Sequence, residues 1–473
     1  MKKRIICLLF ACIMLVTLLT SCFKEEGKTI AYDYDLGEVI TIPNFEKHKV
    51  EFNLDTVQVN IDTALVQYAQ EYVVSRGDSI YVDIDVYHVT MLEGGIDQKG
   101  EKIEALSKSN YLLSNVGYGS ISKTIEADIF GAKIGDIVTK LYKDVNVITD
   151  FAEEYSEFNE TPMYVDIKVM NRNVMLGDVV SVNYKGYRID ENGNKLKNDK
   201  GEDDIFDEND SSIFFVGSQL AVEEFEQSLV GMLVGEENKK DFYVTFPDDY
   251  SDEDLKGKKV LFTAYINDIY TAPVYDNAFV KAHYPDYDTT ADFEDALRKE
   301  FILATVYEYI LDNCKVHSYP QDKYDASMQA LNDRAESFKE ENGITIDDWI
   351  EYQYQMTREE YVKSNLKTEL IYYRISQLYN LVPTEEQLAS EKEKIISYYK
   401  DYFKNQNSEY TDDEALDRAK NLVNDLGYEY LYENVMFTLV DEKLISEAEV
   451  TDLQRTYESV SEVIARGEKP QDK

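Results

Sequence analysis

Basic residues are scarce in this chain. Of its 473 residues, 49 are Lys or Arg and 92 are Asp or Glu, which gives a formal net charge of −43 at pH 7. Nucleic acid, ribosomal RNA and anionic lipid surfaces each require a cationic face on the protein that binds them. The charge balance therefore disfavours all three as partners.

Cysteine and histidine are also rare, with four residues of each. Cys7 and Cys12 fall in an N-terminal targeting segment and Cys22 is predicted to be lipidated, so Cys314 is left alone and no intrachain disulfide is predicted. His and Cys ligands are not clustered, and no Ser/His/Asp set or phosphate-binding glycine loop stands out. We therefore predict no structural metal and no cofactor.

One acidic loop, residues 190–204, invites a calcium interpretation. Asp190 and Asn192 begin it with the spacing of an EF-hand loop, but Lys195 stands where such a loop needs glycine, and flanking helices are absent. A solvated hairpin with a turn at Asn192-Gly193 is favoured instead.

The first 21 residues are typical of a lipoprotein signal peptide and are not part of the fold. A basic start, residues 2–4, precedes the almost entirely apolar residues 5–19, and small residues then lead into Cys22. This resembles the bacterial lipobox, in which the cysteine is lipidated and becomes the mature N-terminus. A transmembrane anchor, or cleavage without lipidation, is the alternative, but the apolar run is short for a bilayer span. We predict an extracytoplasmic chain, lipid-anchored to the bacterial cell membrane through Cys22.

Residues 177–270 carry the most informative pattern. Apolar residues alternate through Val180, Val182 and Tyr184, which is typical of a strand. A short amphipathic helix is predicted over residues 221–230, and Gly231 ends it.

Four motifs in this stretch resemble, in order, those of the FKBP-type peptidyl-prolyl isomerase domain, specifically the version inside trigger factor. They are Gly-Asp followed by a strand with Tyr184-x-Gly186, the segment from Phe225 to Glu236, the segment from Val244 to Tyr250, and Phe262 in the last strand. The resemblance implies an isomerase of X-Pro peptide bonds that needs neither metal nor cofactor.

The same resemblance implies the residues of a proline pocket. Its walls would be Tyr184, Phe206, Phe225, Tyr250 and Phe262, with Phe225 as the floor. It also implies that Val222 offers its backbone N–H to the substrate carbonyl, that Asp207 places a carboxylate near the twisting amide, and that Tyr250 offers its hydroxyl to the peptide.

Two features depart from the family pattern. The helix start reads Ala221-Val222-Glu223-Glu224 where the family usually has Ile-Pro-Gly, which adds two carboxylates to the pocket rim. An insertion over residues 190–210 leaves the register of Phe206 and Asp207 open. The first departure concerns the level of activity and not the fold.

Residues 76–172 look like a second copy of the module at 173–272. Gly77-Asp78, Val116-Gly117, Glu126, Gly131 and Gly135 all recur at a constant offset of 100 positions. Ile84 and Ile125 stand where the second copy has Tyr184 and Phe225. We predict a duplication whose first copy is structural or peptide-binding and inactive.

A tether and linker over residues 22–75 and a helical domain over 273–473 complete the chain. Apolar spacing of three to four predicts helices in the latter, with Asp292 and Thr384 as N-caps, and another helix over 61–72. Part of the helical domain is similar to the arms of trigger factor, which implies a cradle for unfolded clients. The predicted fold class is α+β: two tandem FKBP-like antiparallel β-sheet modules, each with a short helix, followed by an all-α C-terminal domain.

Three functional hypotheses follow. The first is a membrane-anchored, extracytoplasmic peptidyl-prolyl isomerase and chaperone for unfolded or newly exported proteins with X-Pro bonds. The second is a non-catalytic lipoprotein that only grips client peptides, which the first copy and Glu223-Glu224 favour. A solute- or glycan-binding lipoprotein is the third, and it leaves the motif order unexplained. No basic N-terminal module for ribosome docking is present, so no ribosome binding is predicted.

Overall fold

The computed structural model describes residues 31–91, 95–144, 146–406, 410–455, 459–460 and 462. The predicted signal peptide and Cys22 lie outside the described residues. None of the helices within them is long and apolar enough to cross a bilayer. The described residues divide into two compact units, one of residues 31–52 with Glu294–Leu453 and one of Asn53–Phe293 with the described residues from Gln454 onward.

The strands of both units are short to medium in length. They are β1 (Ile40–Thr41), β2 (Lys49–Asn53), β3 (Gln70–Glu71), β4 (Ile80–Met91), β5 (Asp97–Lys102), β6 (Lys108–Leu113), β7 (Ile137–Tyr142), β8 (Met163–Asn171), β9 (Asp178–Arg188), β10 (Ile205–Phe215), β11 (Lys240–Thr245), β12 (Lys259–Thr271), β13 (Lys315–Val316) and β14 (Glu449–Leu453).

The helices are short among the strands and long toward the C-terminus. They are α1 (Asp55–Gln67), α2 (Lys123–Ala127), α3 (Glu223–Leu229), α4 (Asn277–His283), α5 (Thr290–Asn313), α6 (Gln321–Asn342), α7 (Ile346–Tyr354), α8 (Arg358–Tyr379), α9 (Glu385–Gln406) and α10 (Asp412–Glu447).

The unit of residues 53–293 contains two antiparallel five-stranded sheets. One has the order β5-β4-β8-β7, with β6 also paired to β4, and the other has the order β10-β9-β12-β11, with β3 also paired to β12. In β4 the side chains of Ile80, Val82, Ile84 and Val86 are buried while their neighbours are half-exposed, which is the period-2 burial of a one-sided sheet. Both sheets contribute to one hydrophobic core.

A buried carboxylate organises the same loop in each half of this unit. Glu126 accepts the N–H groups of Gly117, Gly119 and Ile121 at 2.9, 2.9 and 2.7 Å. Glu226 accepts those of Gly217, Gln219 and Ala221 at 2.9, 3.1 and 2.9 Å. The contacts repeat at the same offset of 100 positions as the sequence motifs, although the tandem arrangement of two FKBP-like modules stays a prediction.

Residues 31–52 belong to the helical unit. Strand β1 pairs antiparallel with β13, placing Ile40 opposite Val316, and β2 pairs with β14. Tyr32 and Phe45 are 2% exposed and lie in the same core as the helices α5, α8 and α10. The mixed α+β class with a C-terminal helical region is confirmed. The all-α description of that region is wrong, because it contains β13 and β14, which pair with N-terminal strands.

Local helix boundaries differ from the predicted ones in two places. The helix predicted over 61–72 is α1, which begins six residues earlier and ends before β3. Asp292 is not an N-cap: its N–H donates to Thr289 Oγ1 at 3.1 Å, so Thr289 caps α5 and Asp292 lies in the first turn. Thr384 is confirmed as an N-cap, since its Oγ1 accepts a backbone N–H of α9 at 3.2 Å. The predicted domain boundaries stay predictions.

Candidate functional site

A cavity of about 460 Å³ opens beside the first turn of α3, with β9, β10 and the loop after β11 around it. Six of the seven residues predicted for the proline pocket line it: Tyr184, Asp207, Val222, Phe225, Tyr250 and Phe262. The seventh, Phe206, is not among the lining residues. Its ring centroid lies 5.7 Å from that of Phe262 and 6.0 Å from that of Phe246, so it supports the wall through its neighbours.

Phe225 lies at the centre of the aromatic cluster. It is 5% exposed, and its ring centroid lies 4.8 Å from that of Phe262, 4.9 Å from Phe214 and 5.6 Å from Tyr184. These are the separations and tilted geometries that aromatic pairs prefer. The start of α3 is held against β11 by Glu224, whose carboxylate accepts the Thr245 N–H at 2.7 Å. The floor is therefore apolar and fixed in place.

Tyr184 and Asp207 form the polar side of the cavity. The Tyr184 hydroxyl donates to the Asp207 carboxylate at 2.9 Å. Burial, and then the hydrogen bond to Asp207, raises the pKa of Tyr184 to about 12. At neutral pH the hydroxyl is thus a proton donor, and the carboxylate has a fixed orientation at the rim.

Gly186 permits the close approach of two aromatic rings. A Cβ at this position would lie 2.6 Å from Phe206 Cζ and 2.9 Å from Phe262 Cε1, closer than packed carbon atoms approach. Gly186 is paired with Asp207 across β9 and β10, and a register shift separates Ile205 from Asp207. This irregularity settles the register that the insertion left open, and it gives Phe206 and Asp207 different surroundings.

Val222 lines the cavity directly before the first turn of α3. Val222 is the residue before α3, and it forms no hydrogen bond through its N–H within the described residues. The preceding Ala221 is anchored by Glu226, which is 2% exposed. Burial raises the pKa of the Glu226 carboxyl, although the backbone N–H groups that it accepts oppose the shift. The buried carboxylate thus fixes the loop that presents Val222.

Several lining residues were not predicted. Phe214, Val244 and Phe246 add apolar wall, and Gln219 and Leu220 lie at the rim. Of the neighbouring pair Phe214 and Phe215, the first lines the cavity and the second is core, 4% exposed, as expected for successive residues of a strand. The alternation of β10 could have assigned Phe214 to the cavity only if the register had been known.

In the first half of this unit, aliphatic residues stand 100 positions before two of the aromatic residues of the cavity. Ile84 and Ile125 are buried at 2% and 3% exposure. At the start of α2, Ser122 forms an antiparallel bridge with Phe151, and the Ala152 N–H donates to the Ile121 carbonyl at 2.7 Å. A segment of this module therefore lies against its own helix start, at the position where Val222 lines the cavity of the second module.

The hairpin over residues 190–204 shows the turn that was favoured over a calcium site. Ile189 bridges Lys195, and the Asp190 carboxylate accepts the N–H groups of Asn192 and Asn194, both at 2.9 Å. Gly193 has φ +85°, the left-handed backbone of such a turn. Across the described part of the chain, no group of three or more His, Cys, Asp or Glu is arranged to hold a metal.

Comparisons with known proteins agree with this geometry. The family model of the FKBP-type peptidyl-prolyl cis-trans isomerase matches residues 170–266. The chain thus contains an FKBP-type isomerase domain. The trigger factor of Carboxydothermus hydrogenoformans is 27% identical over 289 residues, which are 57% of this chain and 64% of that protein. The trigger factor of Clostridium beijerinckii is 25% identical over 388 residues, 77% of this chain and 83% of that protein.

These similarities differ in extent. The aligned part spans slightly less than two thirds of the Carboxydothermus protein. A solved structure reported for substrate recognition by the trigger factor chaperone covers 66% of this chain at 13% identity. Its TM-score of 0.20 is too low to support a conclusion about the fold. The isomerase assignment therefore rests on residues 170–266, and on the cavity within them.

Proposed function

We propose that this protein is a lipid-anchored, extracytoplasmic peptidyl-prolyl isomerase and chaperone that assists the folding of exported proteins. The aromatic cavity floored by Phe225 is the observation that carries the proposal. The trigger-factor relatives support the chaperone part, and the lipobox at Cys22 supports the location.

The geometry suits the reaction. Rotation about an X-Pro bond must overcome a barrier of about 18–20 kcal/mol because amide resonance is lost in the twisted state. The reaction makes no covalent bond, so no nucleophile is required. A water-poor aromatic pocket disfavours the charge-separated planar amide, and a hydrogen bond from the Val222 N–H would hold the flanking carbonyl. Tyr184 and Asp207 leave one polar side near the twisting bond.

The enzymatic part is tested by exchange NMR of a Phe-Pro peptide with the full chain in detergent. Phe225→Leu keeps an apolar side chain but removes the aromatic floor, and kcat/KM should fall about tenfold or more, equivalent to about 1.4 kcal/mol of transition-state stabilisation. Phe215→Leu is the matched control, because Phe215 is equally buried but does not line the cavity. Equal activity of the two variants would contradict the assignment.

Client binding is proposed for the helical unit. On α9, Tyr398 and Tyr402 are 60% and 45% exposed and lie one turn apart, so they present apolar surface to solvent. The double variant Tyr398→Ser/Tyr402→Ser should suppress aggregation of an unfolded client less well than the parent. Lys394→Ser, at an exposed polar position of the same helix, is the control. Undiminished suppression by the double variant would remove α9 from the client surface.

The membrane anchor has a direct test. Cys22→Ser should move the chain from the membrane fraction of the cell to the soluble fraction and abolish metabolic labelling with a fatty acid. Cys314→Ser should change neither property. Persistence of Cys22→Ser in the membrane fraction would favour a transmembrane anchor.

The proposal includes a duplicated isomerase module, with the first copy as a structural partner. The matched carboxylate contacts of Glu126 and Glu226 support the duplication. The bridge from Ser122 to Phe151 supports the loss of a peptide site in the first copy. A purely client-gripping protein is the second candidate, and the carboxylate of Glu223 at the pocket rim is the observation that favours it. The exchange experiment with Phe225→Leu decides between the two.

A further inference from the structure

The cavity of the isomerase domain carries unbalanced negative charge at its rim. Asp207 and Glu223 are lining residues, and no Lys, Arg or His is among the side chains that line it in the described part of the chain. The rest of the lining is aromatic, aliphatic or neutral and polar. A bound peptide therefore meets carboxylates of one sign close to an apolar wall, where their effect is stronger than in free solvent.

Neither carboxylate is neutralised by a neighbouring cation. Asp207 accepts the Tyr184 hydroxyl, and Glu223 accepts the Gln227 amide at 2.7 Å. Within the described residues, neither forms an ion pair. Nearby cations of β9 are already engaged, Lys185 with Glu208 at 2.8 Å and Arg188 with Asp204 at 3.2 Å. The rim thus retains two carboxylates available to a ligand.

Glu223 and Glu224 differ in this respect, although the sequence presents them as equivalent. The Glu224 carboxylate is turned to β11, where it accepts the Thr245 N–H, and it is not a lining residue. Glu223 lines the cavity and directly follows Val222. Of the two acidic residues at the helix start, only Glu223 is therefore positioned to act on a bound peptide.

A peptide in this cavity must pass close to Glu223. When the proline ring packs against Phe225 and a substrate carbonyl accepts the Val222 N–H, the residues beside the proline lie within one or two chain positions of Glu223. Each position of an extended peptide spans about 3.3–3.6 Å. The long side chains of Lys and Arg can bridge that distance while their stems cover apolar surface.

We propose that this cavity selects X-Pro segments that carry Lys or Arg directly before or after the proline and rejects those that carry Glu or Asp there. This inference rests on the proposed isomerase function. Partly exposed ion pairs contribute modestly, and like charges oppose binding by a similar amount. We expect kcat/KM for a Lys peptide to exceed that for the matching Glu peptide by about fivefold to tenfold at low ionic strength, with a neutral Leu peptide between them.

The experiment compares peptides that differ only at these two positions, with the full chain in detergent, in about 20 mM and about 500 mM salt. High salt should bring the Lys-to-Glu ratio close to one, because salt screens charges at an exposed rim. Glu223→Gln should lower the ratio by about half or more at low salt. Glu236→Gln is the matched control: Glu236 is an exposed acid four residues before β11, whose opposite end contributes Val244 to the cavity, and this variant should keep the parent ratio.

Binding of the same peptides, measured by fluorescence anisotropy, separates two kinds of failure. If no peptide is isomerised but Lys peptides bind more tightly than Glu peptides in a Glu223-dependent way, the isomerase function fails and the selectivity stands. If Lys and Glu peptides are bound and isomerised equally, or if Glu223→Gln leaves the ratio unchanged, the selectivity is refuted.

Discussion

Replacing Glu226 with glutamine should perturb the loop that frames the cavity and leave its aromatic floor unchanged. The carboxylate is 2% exposed and accepts three backbone N–H groups, those of Gly217, Gln219 and Ala221. Glutamine offers one acceptor oxygen in place of two. If that oxygen keeps the bonds to Gly217 and Gln219, the amide nitrogen faces the Ala221 N–H, which loses its acceptor.

The expected loss of stability follows from that single donor. A buried N–H without an acceptor costs about 1–3 kcal/mol, so Glu226→Gln should lower the free energy of unfolding by about 2 kcal/mol. For a unit of this size each kcal/mol corresponds to about 2–4 °C in Tm, which predicts a decrease of roughly 4–8 °C. The protein remains folded, because domains are usually stable by about 5–15 kcal/mol.

Activity should fall further than stability explains. Ala221 directly precedes Val222, so a loosened Ala221 misplaces the N–H that is proposed to hold the substrate. A misplacement of about 1 Å can cost about a hundredfold in rate, and we expect kcat/KM to fall tenfold or more. The assay is exchange NMR of a Phe-Pro peptide at a temperature well below both Tm values.

Glu126→Gln is the matched control for Glu226→Gln, because the two carboxylates make corresponding contacts in the two halves of the unit. Glu126 accepts the N–H groups of Gly117, Gly119 and Ile121 in the same geometry, but Ser122, which follows Ile121, forms a bridge with Phe151. This variant should lose similar stability and keep its activity. An equal loss of activity in both variants would show that general destabilisation explains the effect and would refute the positioning role of Glu226.

Three further predictions concern single positions. Gly186→Ala should push the ring of Phe206 out of place, costing about 1–3 kcal/mol of stability as overpacking does, and lower kcat/KM, which thermal unfolding and exchange NMR would show; unchanged activity would contradict the close packing. Thr384→Ala should cost about 1 kcal/mol in urea unfolding, because α9 loses its N-cap, whereas Thr384→Ser should not. Burial raises the pKa of Asp441 to about 7, while the hydroxyl of Tyr372 donates to it; since the unfolded carboxyl ionises near pH 4, stability should fall as pH rises from about 4 to 7, by at most about 4 kcal/mol. Asp441→Asn should make that decline smaller without abolishing it, because burial also raises the pKa of the Glu369 and Glu433 carboxyl groups; an identical pH dependence of parent and variant would refute the role of Asp441.

The aromatic part of the site could be predicted from the sequence because motif and strand period agree there. Tyr184, Phe225 and Phe262 are placed by local patterns, and the structure brings all three to one cavity. Phe206 could not be placed, because a register shift between Ile205 and Asp207 decides which face it takes. Such an irregularity depends on pairing with β9 across a long insertion and leaves no local signal.

The position of residues 31–52 was also beyond local reasoning. This segment reads as a linker because its strands are too short for periodicity to reveal them. Its partners are distant in the chain, since Ile40 lies opposite Val316 and the Tyr32 ring packs 4.8 Å from that of Tyr373. Only the tertiary structure shows that residues 31–52 belong to the helical unit.

The two halves of the sheet unit show which features indicate a fold and which indicate a catalytic site. Glu126 and Glu226 make the same three contacts, although Ile125 precedes the first and Phe225, which lines the cavity, precedes the second. The buried carboxylate is therefore a requirement of the loop, and its presence alone says nothing about isomerisation. Phe225 differs, because Ile125 fills the equivalent core position without forming an aromatic floor. An aromatic residue retained where an aliphatic one suffices for packing is the stronger sign of a working pocket, and this is why Phe225→Leu tests the function more directly than any change in the frame.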